Sequence, residues 1–390
     1  MDVPQNAQII EAAGKTIIPG LVDAHWHGGM GEDEIIPQQS WVNYASLAFG
    51  VTTIHDPSND TSEIFTMSEM QKAGSVVGPR IYSTGTILYG AKAPFTAPVN
   101  SLDDALVHLK RMKAAGAISV KSYNQPRREQ RQQILEAARQ TGMMVVPEGG
   151  SLFQANMSMI IDGHTGVEHA IPVANAYDDV KQLWSQTKVG YTPTFGVGYG
   201  GLDGEHYWYA HTDVWKHPIL SRYVPRTVLE PRAVRRDIAP EEDFNIINVA
   251  RTATELQRAG VAVNIGAHGQ REGLAAHWEM WTLALGGATP LEAIRIATIN
   301  PARYLGMDKD IGSIEVGKLA DLVIIDGDVL SDIRQSDKVS QVMINGRLYD
   351  SATMNEVGAR KKARQPFFFD GADNVGTPVT VKAHSVSHQH

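Results

Sequence analysis

Cysteine is absent from the 390 residues. That excludes disulfides and thiolate metal sites. It does not fix the compartment, because a cysteine-free chain tolerates either redox state. No basic run stands out and the formal net charge is −8, so nucleic acid is not an expected partner. No run of eighteen apolar residues occurs, and no membrane span is expected. Residues 1–13 lack the basic-then-apolar pattern of a signal peptide. The expectation is a cytoplasmic protein, or a periplasmic or secreted one if the chain is a processed fragment. What is present is ordinary globular composition, with 43% hydrophobic and 20% charged residues. The length suggests two or three domains, although α/β barrels of this size are often one. The fourteen histidines prove little as a count, since His206 sits in a loop and His384, His388 and His390 in the tail.

One unit recurs: an amphipathic helix, a glycine, then a short β-branched strand. The helix at 41–49 ends at Gly50 before Val51–Ile54, and 101–115 ends at Gly116 before Ile118–Lys121. Ser101 and Asp104 form an expected capping box. The pattern repeats at 128–141 with Gly142 and Met143–Glu148, at 160–162 with Gly163 and Val167–His169, at 177–189 with Gly190 and Tyr191–Phe195, and at 244–259 with Gly260 and Val261–His268. Leu21–His25 and Arg80–Ser83 complete eight strands. Eight alternating units predict a (β/α)8 TIM barrel. A doubly wound sheet is the alternative, but no glycine-rich phosphate loop follows the first strand.

Residues 20–307 read as the barrel. An insertion at 197–240 carries Tyr199, His206, Tyr207, Trp208, Tyr209, His211, Trp215 and His217. It reads equally as a lid or substrate wall and as a helical insertion packing its aromatics on the barrel. Residues 1–19 and 308–363 read as a small β-domain where the chain ends meet, with a tight turn at Asn345-Gly346. Residues 364–390 read as an arm.

Barrel active sites lie at the C-terminal ends of the strands. There the sequence places His25-Trp26-His27, His55-Asp56, Lys121, Glu148, His169 and His268. Alternation puts His25 and His27 on one face, where two imidazoles can bind one ion. A pair of surface histidines is the common alternative for an isolated His-x-His. A buried Lys121 is costly unless paired or chemically changed; it either snorkels, pairs with Glu148, or bridges metals. Glu168 is expected to point into the helix layer, in a salt bridge. His277 and Glu279 read as the polar face of a packed helix, and His164 as a loop hydrogen bond.

Gly20-Leu-Val-Asp-Ala-His-Trp-His27 resembles the first-strand motif of the amidohydrolase superfamily. Asn300-Pro-Ala-Arg-Tyr-Leu-Gly306 and Gly312-Ser-Ile-Glu-Val-Gly-Lys-Leu-Ala-Asp-Leu-Val323 resemble its return into the β-domain. The match is strongest to the imidazolonepropionase-like branch, of the type found behind TolB-like propellers. The resemblance implies a β-sandwich from the chain ends and one or two divalent ions, zinc first, manganese or iron as alternatives. It implies metal ligation by His25, His27, Lys121 and His169, with a CO2-derived carbamate on Lys121. Two departures stand out. Glu148 occupies the place of a strand-five histidine, where it remains a competent oxygen ligand. His268 occupies the place of the strand-eight aspartate, as ligand or proton carrier. The segment before Leu21 is also shorter than the family's, so an incomplete β-domain or a fragment of a longer chain is expected, with exposed edges favouring a homo-oligomer.

The expected activity is hydrolysis of an amide C–N bond in a peptide, an N-acyl amino acid or a cyclic amide, with His268 carrying the proton. Tyr123 reads equally as the oxyanion donor and as a tyrosine packing under the lid, and His55 and Trp26 are candidates for substrate contact; Asp56, His55 and Glu272 are weaker candidates for the proton. Lactone, carbamate or phosphotriester hydrolysis, and a non-catalytic barrel module, are the alternatives.

Overall fold

The computed structural model describes residues 5, 7–92, 96–198, 202, 204–234 and 236–370. Helices at Leu102–Ala115 and Arg128–Thr141 end where glycine permits a left-handed turn, at Gly116 (φ 111°) and Gly142 (φ 67°). Ser101 and Asp104 form the capping box. Gly190 departs from the pattern. Its helix is the shorter Asp178–Ser185, and Gly190 is the first residue of the strand Gly190–Thr192.

The barrel wall consists of three parallel panels. Leu21–Asp23, Val51–Asp56 and Arg80–Ser83 form the first. Leu88–Tyr89, Ser119–Tyr123 and Met144–Pro147 form the second. Gly166–Glu168 and Gly190–Thr192 form the third. The third strand of the barrel is thus split, one half lying on the second strand and the other on the fourth. A Glu148–Glu168 bridge and the bond from Gly149 N to Glu168 O (2.8 Å) join the second panel to the third. The expected strand Val261–His268 is not a regular strand. Val263 bridges Tyr191, Asn264 N donates to Tyr191 O (2.9 Å), and Ala24 N donates to Ile265 O (3.1 Å). His268 N donates to His25 O (2.8 Å), so this segment links the seventh strand to the first. The fold is TIM-barrel-like α/β.

The chain ends meet in one antiparallel sheet, ordered Lys15–Pro19, Leu322–Asp326, Val339–Ile344, Arg347–Asp350, Glu356–Val357 and Lys361–Lys362. A single sheet, rather than the expected sandwich, is what the described residues form. Asn345 (φ 51°) and Gly346 (φ 73°) make its tight hairpin turn. Arg80 at the start of the third barrel strand holds Asp321 and Asn345, tying sheet to barrel.

The aromatic insertion turns inward. Trp208 stacks on Trp278 at 6.2 Å and meets Trp281 edge-on at 5.5 Å, while Tyr207 packs on Phe244. Of the two readings open for this segment, the described aromatics follow the packing one. Tyr199 and the arm beyond residue 370 lie outside the described residues. Phe367, before that limit, packs on Tyr44 and Tyr223.

Candidate metal centre

Strand alternation carries Asp23, His25 and His27 to one side of the first strand and its extension. His25 Nε2 and His27 Nε2 lie 3.2 Å apart. Behind them, His25 Nδ1 is 2.7 Å from Glu168 Oε2, and His27 Nδ1 is 3.0 Å from Asp56 Oδ1. With the carboxylates accepting, each Nδ1 carries the hydrogen and each Nε2 turns a lone pair toward the other. His268 completes the group: its ring stacks on His25 at 5.3 Å and lies edge-on to His27 at 4.6 Å. Ligand atoms of His25, His27 and His268 all lie within 4.8 Å of one another.

This donor set fits a divalent ion. Two imidazole nitrogens on a tetrahedral zinc are separated by about 3.3 Å, close to the 3.2 Å observed. A cation between them offsets the repulsion of facing lone pairs, and the carboxylates behind fix both tautomers. Burial and nearby positive charge hold the His25 and His268 imidazoles well below the usual histidine range, which keeps them neutral and able to ligate. Burial lifts Asp56 to about 7 and Glu168 to about 8, opposed by hydrogen bonds from Asn59 and Tyr304. A cation nearby would lower both.

A second group adjoins the first. Glu148 Oε2 is 2.7 Å from Lys121 Nζ, and its Oε1 is 2.8 Å from His169 Nε2. Burial would raise the Glu148 carboxyl, but His169 and Lys121 outweigh it and hold it well below the usual range. The His169 ring sits 4.8 Å from His25 and 5.1 Å from His268. Lys121 is therefore paired with Glu148, one of the partners open to it from sequence.

Three expectations need correction. Glu168 does not face the helix layer. His169 has φ 70°, so alternation breaks there and Glu168 and His169 both face inward. Trp26 is 2% exposed and belongs to the hydrophobic core, with its indole against Gly28, so it does not line a substrate site. His55 bonds Ala24 O through Nδ1 (3.0 Å) and Ser119 Oγ through Nε2 (2.7 Å). Both ring nitrogens tie strands together rather than meeting substrate. Tyr123 stacks on Tyr89 at 5.0 Å, with the Lys121 ammonium 5.4 Å from its ring centroid.

Two further buried carboxyls are not singled out as site residues by the sequence: Asp23, inside the first-strand motif 20–27, and Glu279, outside any motif. Asp23 Oδ1 accepts from His25 N (3.2 Å) and Ala267 N (3.1 Å), clamping the segments that carry His25 and His268. Glu279 accepts from Gly196 N (3.1 Å) and Gly266 N (3.4 Å), and burial raises its carboxyl well above the usual range. Left-handed backbone recurs around this centre: His169 directly follows the strand Gly166–Glu168, Thr194 (φ 47°) lies two residues beyond Gly190–Thr192, and His268 (φ 57°) closes the irregular segment 261–268. Such strained backbone gathers where geometry is imposed by surrounding structure.

Residues 16–349 match the model of the Amidohydrolase family. The dihydroorotase of Pelotomaculum thermopropionicum is 23% identical over 88% of this chain and 86% of its own. The imidazolonepropionase of Symbiobacterium thermophilum is 24% identical over 82% of this chain and 77% of its own. Among solved structures, a Xaa-Pro dipeptidase with bound methionine in its active site superposes with a TM-score of 0.68 at 21% identity, covering 90% of each chain. No helix among the described residues is long and apolar enough to cross a membrane.

Proposed function

Since this chain belongs to the amidohydrolase family and is a metal-binding hydrolase of C–N bonds, we propose that it cleaves the amide bond of a dipeptide, N-acyl amino acid or cyclic amide. The observation that carries this reading is the trio His25, His27 and His268, with two Nε2 atoms 3.2 Å apart and carboxylates behind both. These three histidines would hold the first divalent ion, with zinc the first choice for a three-histidine donor set. When bound, the ion supplies a Lewis acid that makes water nucleophilic near neutral pH and polarises a carbonyl. His268 serves as ligand, because its ring belongs to the same donor group. Lys121, Glu148 and His169 form the adjoining set. A CO2-derived carbamate on Lys121 would free it from the Glu148 pair and turn a donor into an oxygen ligand for a second ion. Tyr123, beside Lys121, directs its phenol as a hydrogen-bond donor to the developing oxyanion. A phenol keeps its proton at neutral pH in any case, and burial raises this one further. The substrate is a small molecule or short peptide, and the working form is a homo-oligomer.

Metal content measured without chelator, with and without bicarbonate, tests the centre beside Lys121→Ala. About two equivalents falling to one in the variant support the bridged pair; about one equivalent in both places all ligation on the histidine trio. His25→Ala is expected to lose the ion and at least about 100-fold in turnover of dipeptides or N-acyl amino acids. Undiminished turnover by metal-stripped wild type would overturn the proposal.

A further inference from the structure

The N-terminal mouth of a TIM-like barrel ordinarily serves stability, and chemistry sits at the other end. Here one side chain crosses that division. Tyr304 lies in the helix Ile299–Tyr304 that follows the barrel. Its ring and hydroxyl fill the space over Gly166 and Gly190, the first residues of the sixth and seventh strands. A Cβ on Gly166 would lie 2.3 Å from the Tyr304 hydroxyl, and one on Gly190 would lie 2.9 Å from its ring. Two strands thus begin with residues that leave room for this phenol. The hydroxyl donates to Glu168 Oε1 at 2.6 Å, and the other oxygen of the same carboxyl meets His25 Nδ1 at 2.7 Å.

We infer that Tyr304 is a positioning residue for the metal centre, holding Glu168 so that His25 presents Nε2 to the ion. The physical basis is the hydrogen-bond inventory. The phenol has one hydrogen and spends it on Oε1, which fixes the rotation of a carboxyl whose opposite oxygen meets His25. Glu168 is 1% exposed, so water cannot replace a lost donor at little cost. Without this donor the carboxyl keeps His25 as a partner, with the Thr192 hydroxyl beside it, and holds the imidazole less firmly, and partners one step behind a ligand typically change metal affinity 10–100-fold. The alternative is that the phenol only fills the barrel floor, in which case losing its hydroxyl leaves the ion untouched.

The inference rests on the histidine trio being the metal site, and the test separates the two. Zinc affinity is measured by chelator competition for wild type, Y304F, E168Q and the double variant, with the folded state of each checked by near-UV circular dichroism. Y304F is expected to weaken zinc about 10-fold, and E168Q at least as much. The double variant should be no weaker than E168Q alone, because Tyr304 acts through Glu168. Gly166→Ala, whose methyl displaces the hydroxyl while keeping it, should weaken zinc in the same direction. Wild-type zinc binding with Y304F within twofold of it, or fully additive losses in the double variant, overturns the role of Tyr304 while leaving the centre standing. Absence of zinc from wild type removes the centre and this inference together.

Discussion

Asp23 is one carboxyl with two backbone donors. Its Oδ1 receives both His25 N and Ala267 N, in a setting that leaves it 1% exposed. Replacement by alanine strands two buried N–H groups, at about 1–3 kcal/mol each. Asp23→Ala should therefore lower stability by about 3 kcal/mol in urea unfolding of the metal-free protein. Asp23→Asn keeps an accepting oxygen and should cost less than half as much; equal losses would mean that charge, not hydrogen bonding, is what the position supplies. His277 offers a pH test. Its ring bonds Ser336 Oγ (2.9 Å) and Phe49 O (2.8 Å), and burial lowers it to about 4. Between the ordinary histidine value of 6.5 and about 4, the unfolded chain takes up a proton there and the folded chain does not. The contribution of His277 is present above the unfolded value and lost as pH falls through this window. His277→Asn should thus flatten the acid loss of stability by up to roughly 3 kcal/mol, and parallel wild-type and variant curves would refute it. The residues legible in the sequence are those obeying strand alternation, such as His25 and His27. Glu168 is not legible in this way, because left-handed backbone at His169 breaks the alternation, and no local feature of Val167-Glu168-His169 signals it. Tyr304 and Glu279 are opaque for another reason: each reaches the site from a helix through a tertiary contact, Tyr304 to Glu168 and Glu279 to Gly196, that no local pattern marks.

At the scale of elements, the helix–glycine–strand rhythm recovers most of the barrel because each part rests on local chemistry. The Ser101 capping box and the left-handed turns at Gly116 and Gly142 are examples. Where tertiary packing dictates the role, the same rhythm misleads. Gly190 looks like a helix cap, yet it opens a strand whose neighbour Tyr304 excludes a Cβ. Val261–His268 has strand composition but makes its bonds singly. Gly269, after that segment, has φ 68°, and a Cβ there would lie 1.7 Å from the His27 carbonyl oxygen. Gly269→Ala joins an unfavourable backbone to a clash with backbone, and should cost more than about 2 kcal/mol. It should also displace the loop carrying His268 away from the segment carrying His27. Thermal unfolding and zinc titration read the two effects; a variant matching wild type in both would show that this contact is soft.

Across the whole molecule, the ligand-type residues are spread over every part of a divided wall. His25 and His27 extend the first panel, Lys121 and Glu148 the second, and His169 the third, while His268 sits on the loosely bonded eighth segment. Single backbone bonds rather than continuous ladders join these parts, so an ion held by residues from several of them would add a tie across the seams. A cation gripped by several of them acts as a staple through the top of the barrel. Amide hydrogen exchange should reveal it. Zinc is expected to slow exchange most at the seam amides Gly149, Asn264 and His268, and least within the Lys15–Pro19 and Leu322–Asp326 pair of the outer sheet. Uniform slowing everywhere would mean simple global stabilisation. Exchange concentrated at the seams would mean that the metal-free protein breathes along lines already drawn by its sheet boundaries, and that loading the ion is also the last step in shutting the barrel.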